Sequence, residues 1–295
     1  MSNHLAKVSK KMNIYAKRRV KNVLSGNYGS VFKGRSMDFD DLRPYEYGDD
    51  VKDIDWKASA RSRIPMIRRY IAVRKHNIMI VADSGRNMAA LAPSGESKID
   101  IATFAASVIA WIANKNDDLI GITFGNSTSN TRIALKEGLS HIENCLTKYE
   151  KSVSLESDPA NLNALLSYIS KNFRERMFLF IITDTYNASQ ISQDILRRLR
   201  VRHEIMVISV EDSNITNASF FKNEVRDIVN NARIPAFLRK NRKLKDAEAT
   251  MRKKVEQSNS KNFRHLGICS SVLSSTDTAV QDIFKMLEEQ KHVRK

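Results

Sequence analysis

The chain has 295 residues, 42% of them hydrophobic and 28% charged, which is typical of a globular protein with one sizeable core. No window approaches the ~20 uninterrupted apolar residues of a membrane span, and the basic N-terminus lacks the apolar core of a signal peptide. Two cysteines, Cys145 and Cys269, are too few for a disulfide framework or a zinc site, so we expect a soluble, cytoplasmic protein.

The net charge of +16 is unevenly distributed along the chain. The first 37 residues contain nine Lys or Arg and no acidic residue, which leaves only +7 for the remaining 258 residues. An excess of that size does not by itself indicate a nucleic-acid partner.

Residues 5–24 are predicted to form a basic helix, because Leu5, Val8, Met12 and Tyr15 recur at helical spacing among lysines and arginines. We favour a surface helix whose apolar stripe docks on the body of the protein. Two alternatives remain open: peripheral contact with anionic lipid of the inner membrane or with an acidic partner, and sequence-independent binding of nucleic acid.

Residues 38–63 combine carboxylates, basic side chains and aromatics at high density. Their near-balanced charges predict an irregular segment held by ion pairs, in which Arg43 and Arg61 bind carboxylates. The aromatic side chains expected to anchor this segment are Tyr45, Tyr47 and Trp56. The alternative is an exposed, partner-binding face, for which the candidate residues are Arg43, Asp49, Asp50, Asp55, Trp56 and Arg61.

The same segment permits a nuclease hypothesis. Asp55 and Lys57 form a D-x-K pair, and with Asp49 they could hold a magnesium ion beside an attacking water. D-x-K arises often by chance, however, and the segment lacks the apolar strand on which such residues should sit.

From Asn77 the chain alternates between apolar strands and amphipathic helices. The predicted strands are 77–83, 119–125, 131–135 (a short edge strand), 177–184, 204–210 and 267–272. The predicted helices are 98–114, 140–150, 161–174, 189–200, 242–256 and 276–290. This pattern predicts an α/β fold with a mostly parallel central sheet and helices on both faces.

Two of the most apolar strands end in aspartate, Asp83 and Asp184. Ligands of open parallel sheets bind beyond the carboxyl ends of the strands, where two carboxylates would suit Mg²⁺. Alternatively, each aspartate caps the helix that follows it.

The order of elements, with DSGRNM after the first strand and ITDTY after a later one, resembles a von Willebrand factor A domain, which is Rossmann-like. The upstream segment resembles the bacterial family called domain of unknown function fifty-eight. The hallmark positions are Gly34, Phe39, Leu42, Arg43, Tyr45, Gly48, Asp49, Asp50, Ile54, Asp55, Trp56, Ala60 and Arg61.

The resemblance implies a metal-ion-dependent adhesion site, with Asp83 and Asp184 as ligands and Asn87 as a further carbonyl donor. The pattern of that site is Asp-x-Ser-x-Ser with a threonine from a second loop. Here Gly85 and Asn87 replace the serines and Ala160 replaces the threonine, so we expect Mg²⁺ to bind weakly or not at all.

The resemblance further implies a non-catalytic adaptor that works with a MoxR-type AAA+ ATPase on an unknown client protein, without a small-molecule substrate. The expected division of the chain is a basic helix and hallmark segment (1–76), a von Willebrand A-like domain (77–212) and a C-terminal extension packed on the core (213–295).

Overall fold

The computed structural model describes residues 4–18, 38–71, 75–214, 225–228, 232–235 and 241–293. The described parts of 1–31 and 77–295 form one compact unit, and those of 32–76 form another. Within these ranges, no helix combines the length and the apolar character needed to cross a membrane. The end of the predicted basic helix, residues 19–24, and the start of the hallmark phrase at Gly34 lie outside the described residues.

The larger unit is built on a six-stranded sheet. Its strands are β3 (Asn77–Asp83), β4 (Leu119–Gly125), β5 (Asn130–Lys136), β6 (Phe178–Asp184), β7 (Glu204–Val210) and β10 (Cys269–Leu273). The order across the sheet is β10-β7-β6-β3-β4-β5, and every neighbouring pair is parallel except β4 with β5. The smaller unit contains β1 (Asp38–Pro44) and β2 (Met66–Ile71). A further short pair is formed by β8 (Val225–Arg226) and β9 (Arg233–Ile234).

The described α-helices are α1 (His4–Arg18), α2 (Trp56–Ser62), α3 (Lys98–Lys115), α4 (Leu139–Lys151), α5 (Leu162–Asn172), α6 (Thr185–Ser189), α7 (Gln193–Arg200), α8 (Arg242–His265) and α9 (Ala279–Val293). Short 3-10 helices span Val51–Asp53 and Arg86–Ala89.

The central strands are apolar over most of their length because both faces of the sheet are covered. All seven residues of β6 are buried. Met79 and Val81 of β3 pack in one cluster with residues of α5 and α7. Ile78 and Ile80 alternate to the opposite face, where α3 packs. The predicted fold class, a mostly parallel α/β sheet covered by helices on both faces, is confirmed.

Two helical predictions differ from the structure. The helix expected at 189–200 begins only at Gln193, as α7, and a separate short helix, α6, precedes it. Asp184 starts α6 by accepting a hydrogen bond from the backbone N–H of Asn187 (2.7 Å). The helix expected at 242–256 continues to His265. Its last turns bury Asn259 and Phe263 and pack on α6 and β10.

The N-terminal helix docks on the body of the larger unit. Leu5, Val8 and Met12 are buried, and α1 contacts α3, α4 and α9. The Lys11 Nζ donates to the Asp277 Oδ1 at the start of α9 (2.9 Å). The apolar stripe is therefore covered by protein, as the favoured interpretation predicted, and α1 belongs to the same compact unit as the sheet rather than to the 38–71 segment.

The smaller unit is more regular than predicted. Strands β1 and β2 pair antiparallel, with Leu42 opposite Arg68 and Pro44 opposite Met66. The connection between them contains the 3-10 helix and α2. The expectation of an irregular segment was wrong. Adjacent charged residues, such as those in DFDDLRP and MIRRYI, interrupt the alternation of apolar and polar residues that marks a strand, while backbone pairing still forms it.

Candidate functional site

The candidate site lies where the direction of strand addition reverses. From β3 the chain adds β4 on one side of the sheet and then returns to add β6, β7 and β10 on the other. In open α/β sheets, ligand sites form beyond the carboxyl ends of the strands at such a point. Asp83 and Asp184 end the two strands that flank it, and both are buried.

Asp83 is surrounded by hydrogen-bond donors. Its Oδ1 accepts from the backbone N–H of Gly85 (2.8 Å), and its Oδ2 accepts from the Asn87 amide (2.9 Å) and the Thr183 hydroxyl (3.0 Å). Burial nevertheless raises the pKa of Asp83 from its ordinary 3.8 to about 6, because the hydrogen bonds only partly offset desolvation and the Asp184 charge adds to it.

The side-chain amide of Asn87 bridges the two carboxylates. Its Nδ2 donates to the Asp83 Oδ2 and to the Asp184 Oδ2 (2.7 Å). Turning the amide over would place its oxygen against two carboxylate oxygens, so the partners define the orientation. The Asn87 Oδ1 is buried and has no hydrogen-bond partner among the described residues.

A lysine completes the cluster. The Lys98 Nζ donates to the Asp184 Oδ2 (3.1 Å) and forms a very short contact with the Asp212 Oδ1, while its side chain is only 1% exposed. Burial alone would lower the pKa of Lys98, but attraction to Asp184 and Asp212 outweighs that effect and raises it. Lys98 is therefore a buried ammonium ion between two carboxylates.

Gly85 stands where the adhesion-site pattern has a serine, and this difference has a steric cause. A Cβ built on Gly85 would lie 2.5 Å from the Ala160 backbone N and 2.8 Å from its Cα. The loop that carries Ala160 is held at this distance by backbone contacts, since the Arg86 N–H donates to the Asp158 oxygen (3.1 Å). The two loops pack so closely that serine cannot replace Gly85 without movement.

The arrangement does not fit Mg²⁺. The metal requires oxygen ligands, yet the space between Asp83 and Asp184 is spanned by the Asn87 amide nitrogen, which is a donor. Gly85 and Ala160 offer no side-chain ligand. In the described part of the chain, no three His, Cys, Asp or Glu side chains group closely enough to hold a metal ion.

Three members of this cluster were missed in the sequence. Tyr149 on α4 is buried and donates from its hydroxyl to the Asp83 backbone oxygen (3.1 Å). Lys98 occupies the first turn of α3, where the helix dipole disfavours a cation. A lysine at that position could have indicated, from the sequence, that carboxylates lie nearby. Asp212 closely follows the apolar strand β7, so it repeats the pattern of Asp83 and Asp184.

In the smaller unit, the predicted acidic residues have local structural partners. Asp49 forms an ion pair with Arg43 (Oδ1 to Nη2, 2.6 Å), and this guanidinium holds the pKa of Asp49 below its usual range. Asp50 accepts from the Lys52 backbone N–H and starts the 3-10 helix (3.0 Å). Asp55 caps α2 through the backbone N–H groups of residues 57 and 58 (both 3.0 Å).

Two of the three predicted aromatic anchors were predicted wrongly, whereas the third, Tyr45, is half-buried. The side chain of Trp56 is 70% exposed and that of Tyr47 is fully exposed, because both occupy turn or first-turn positions held by backbone capping. Arg61 lies exposed in the last turn of α2. The Lys57 side chain is also exposed, while the Asp55 carboxylate that the nuclease hypothesis requires is used as a helix cap.

Three uncharacterized mycobacterial proteins are similar to this chain: Mb1516 of Mycobacterium bovis, and MT1527 and Rv1480 of Mycobacterium tuberculosis. Each is 25% identical over 212 residues, which covers 70% of this chain. The chain spans 65% of the length of these curated relatives.

Solved structures with a similar course of the backbone include an aerotolerance-related membrane protein from Bacteroides fragilis (14% identity, TM-score 0.45, 72% of this chain and 99% of that one). A second is a von Willebrand factor type A protein from Catenulispora acidiphila (9% identity, TM-score 0.41, 75% of this chain and 44% of that one). A third is the VWA domain of SpRpn10 (13% identity, TM-score 0.32, 47% of this chain and 77% of that one).

The sheet and the polar cluster at its switch point define an α/β protein of the class whose functional surfaces lie at the carboxyl ends of parallel strands. The sequence model of the family described as "Protein of unknown function DUF58" matches residues 41–218. The chain belongs to this family.

Proposed function

We propose that the protein is an interaction scaffold, a von Willebrand A-like adaptor that contacts a MoxR-type AAA+ ATPase while a client complex is assembled or activated. The partner follows from the family resemblance. The contact surface follows from one observation: large apolar side chains are exposed on the smaller unit, between β1 and β2.

Four such side chains stand within 18 residues of one another. Tyr47 is fully exposed, and Trp56, Val51 and Ile64 are 70%, 58% and 48% exposed. Aromatic side chains are enriched among the residues that dominate binding energy at protein interfaces. Exposed apolar groups in one short segment therefore support a partner-binding surface, which we call the apolar hairpin surface.

The segment that carries this surface is braced by its own polar groups. The Asp49 Oδ2 accepts from the Glu46 backbone N–H (3.0 Å) while the Oδ1 binds Arg43. The Ser59 hydroxyl accepts from the Met66 N–H (2.8 Å) and so ties α2 to β2. A braced segment loses less conformational entropy on binding than a flexible one, which favours affinity.

The charged candidates of the sequence take a supporting role in this proposal. Asp49, Asp50 and Asp55 shape the turns, whereas Lys57 and Arg61 are exposed on the same helix as Trp56 and can contact a partner. We regard the Asp83 loop as a depleted adhesion site that works without metal. No observation favours the nuclease alternative.

The proposal places the protein in the cytoplasm. Contact of α1 with lipid has less support, because Leu5, Val8 and Met12 are buried against the larger unit and are not available for insertion. An interaction of α1 with nucleic acid would then depend on its basic side chains, and salt would screen it strongly.

The test is a binding measurement with a purified MoxR-type ATPase encoded in the same genome, in the presence of ATP and of ADP. Replacing Trp56 and Tyr47 together by alanine should weaken binding at least about tenfold, as expected for interface anchors. The matched control replaces Leu155 and Val201, which are 70% and 84% exposed on the larger unit, and should leave affinity unchanged.

Equal affinity of the Trp56/Tyr47 variant and the unmutated protein would remove the apolar hairpin surface from the proposal. An absence of any binding by the unmutated protein in either nucleotide would remove the ATPase as its partner.

A further inference from the structure

Lys98 is an unusual lysine in its burial and its position. Its side chain is 1% exposed, and it stands in the first turn of α3, just after the N-cap residue Ser97. A cation there is opposed both by desolvation and by the positive end of the helix dipole. The ammonium ion can persist in this place only because carboxylates compensate it.

The compensating groups come from two different strand ends. The Asp184 Oδ2, at the end of β6, lies 3.1 Å from the Lys98 Nζ, and the Asp212 Oδ1, beyond β7, lies in direct contact with it. The same Asp184 oxygen also accepts from the Asn87 amide (2.7 Å). The Asp184 Oδ2 and the Asp212 Oδ1 therefore each already accept a hydrogen bond from a side chain of this protein.

We infer that the Lys98 ammonium is a resident cation of the sheet edge, which neutralises Asp184 and Asp212 and excludes a divalent ion from it. The edge is therefore independent of metal, and removing the ammonium converts it into a divalent-cation site. This inference does not depend on the proposed ATPase partner.

The chemistry of the vacated position favours a hard cation. Without Lys98, the carboxylates of Asp184 and Asp212 would lose the cation that both of them contact, while the Asp184 Oδ2 would keep its hydrogen bond from the Asn87 amide. Oxygen ligands of this kind suit Mg²⁺, Mn²⁺ and Ca²⁺, which complete their coordination with water.

The resident cation also links the sheet edge to α8. Arg252 of α8 donates to the backbone oxygen of Asp212 through a very short contact and to that of Ser213 (2.6 Å). The segment after β7 is therefore held by Lys98 on one side and Arg252 on the other. Loss of the Lys98 ammonium should loosen this segment until another cation replaces it.

The experiment compares the unmutated protein, Lys98→Ala, Lys98→Ala/Asp184→Asn and the exposed control Lys171→Ala. Thermal unfolding is followed in EDTA and in MgCl₂, MnCl₂ or CaCl₂. We expect the midpoint of Lys98→Ala in EDTA to lie about 10 °C below that of the unmutated protein, because one partner of a buried ion pair is lost. A divalent cation should restore part of that loss, and only in this variant.

The outcomes separate clearly. Cation rescue that disappears in Lys98→Ala/Asp184→Asn supports the resident-cation inference, as does the absence of any cation effect on the unmutated protein and on Lys171→Ala. A Lys98→Ala variant that is as stable as the unmutated protein, or one that no cation rescues, contradicts it.

A second measurement serves if Lys98→Ala does not fold. The unmutated protein is titrated with Mn²⁺ while the NMR signals of the Asn87 side-chain amide are followed. Unchanged signals support a site closed to metal. Selective paramagnetic broadening of these signals at micromolar Mn²⁺ would show a competent metal site and overturn the inference.

Discussion

Replacing Asp83 with asparagine should change the pH dependence of stability in a defined direction. The buried carboxyl has its pKa raised from 3.8 to about 6 by desolvation. Each tenfold change in proton affinity corresponds to ~1.4 kcal/mol. The linked contribution to the free energy of unfolding is therefore about 3 kcal/mol between the two protonation states.

The direction of this pH dependence follows from which state of the protein, folded or unfolded, binds the Asp83 proton more tightly. The folded protein holds the Asp83 proton more tightly than the unfolded chain, so this stabilisation is fully present below about pH 4. It is lost as the pH rises through about 6. The unmutated protein should therefore lose about 2.5 kcal/mol relative to Asp83→Asn between pH 4 and pH 7, which is most of the full contribution.

Urea denaturation of both proteins at several pH values between 4 and 7.5 measures this difference. The absolute stability of Asp83→Asn is not informative, since its new amide places a second donor opposite Asn87. The change of the difference with pH is informative. Glu156→Gln, which neutralises an exposed loop carboxylate, should run parallel to the unmutated protein. A pH-independent difference for Asp83→Asn, or a difference of opposite slope, would refute the reasoning.

Two further substitutions test packing. Gly85→Ser should lower the free energy of unfolding by about 1–3 kcal/mol, because the new Cβ would lie 2.5 Å from the Ala160 backbone N. Urea titration measures this loss. Unchanged stability would mean that the loops of Gly85 and Ala160 separate easily. Phe263→Ala should cost about 3–5 kcal/mol by removing a buried ring that anchors α8, whereas Met251→Ala, 70% exposed on the same helix, should cost under about 0.5 kcal/mol. Similar losses in both α8 variants would contradict the anchoring role of Phe263.

The apolar strands were the most predictable part of the fold. The predicted strand 77–83 coincides with β3, and 119–125 coincides with β4. Continuous apolar runs of seven residues bounded by polar residues admit few other structures. The smaller unit was not predictable in this way, because its strands carry charged residues and gain their regularity from pairing with each other.

The candidate site was predicted in part. Asp83 and Asp184 were expected to meet at the carboxyl edge, and the Asn87 amide indeed contacts both. Their surroundings could not be read from spacing. Lys98 approaches Asp184 from 86 positions earlier in the chain, and Asp212 reaches Lys98 from 114 positions later.

The sequence by itself determined the α/β class, the order of the strands along the chain and the aspartates at two strand ends, because burial on both faces and strand length leave local signatures. Only the tertiary structure decided what those aspartates contact. Which donors enter a buried cluster depends on long-range packing: the loop of Ala160 pressed against Gly85, and the ammonium of Lys98 placed between two carboxylates. These contacts set the charge and the proton affinity of the site, so its chemistry is a property of the folded chain.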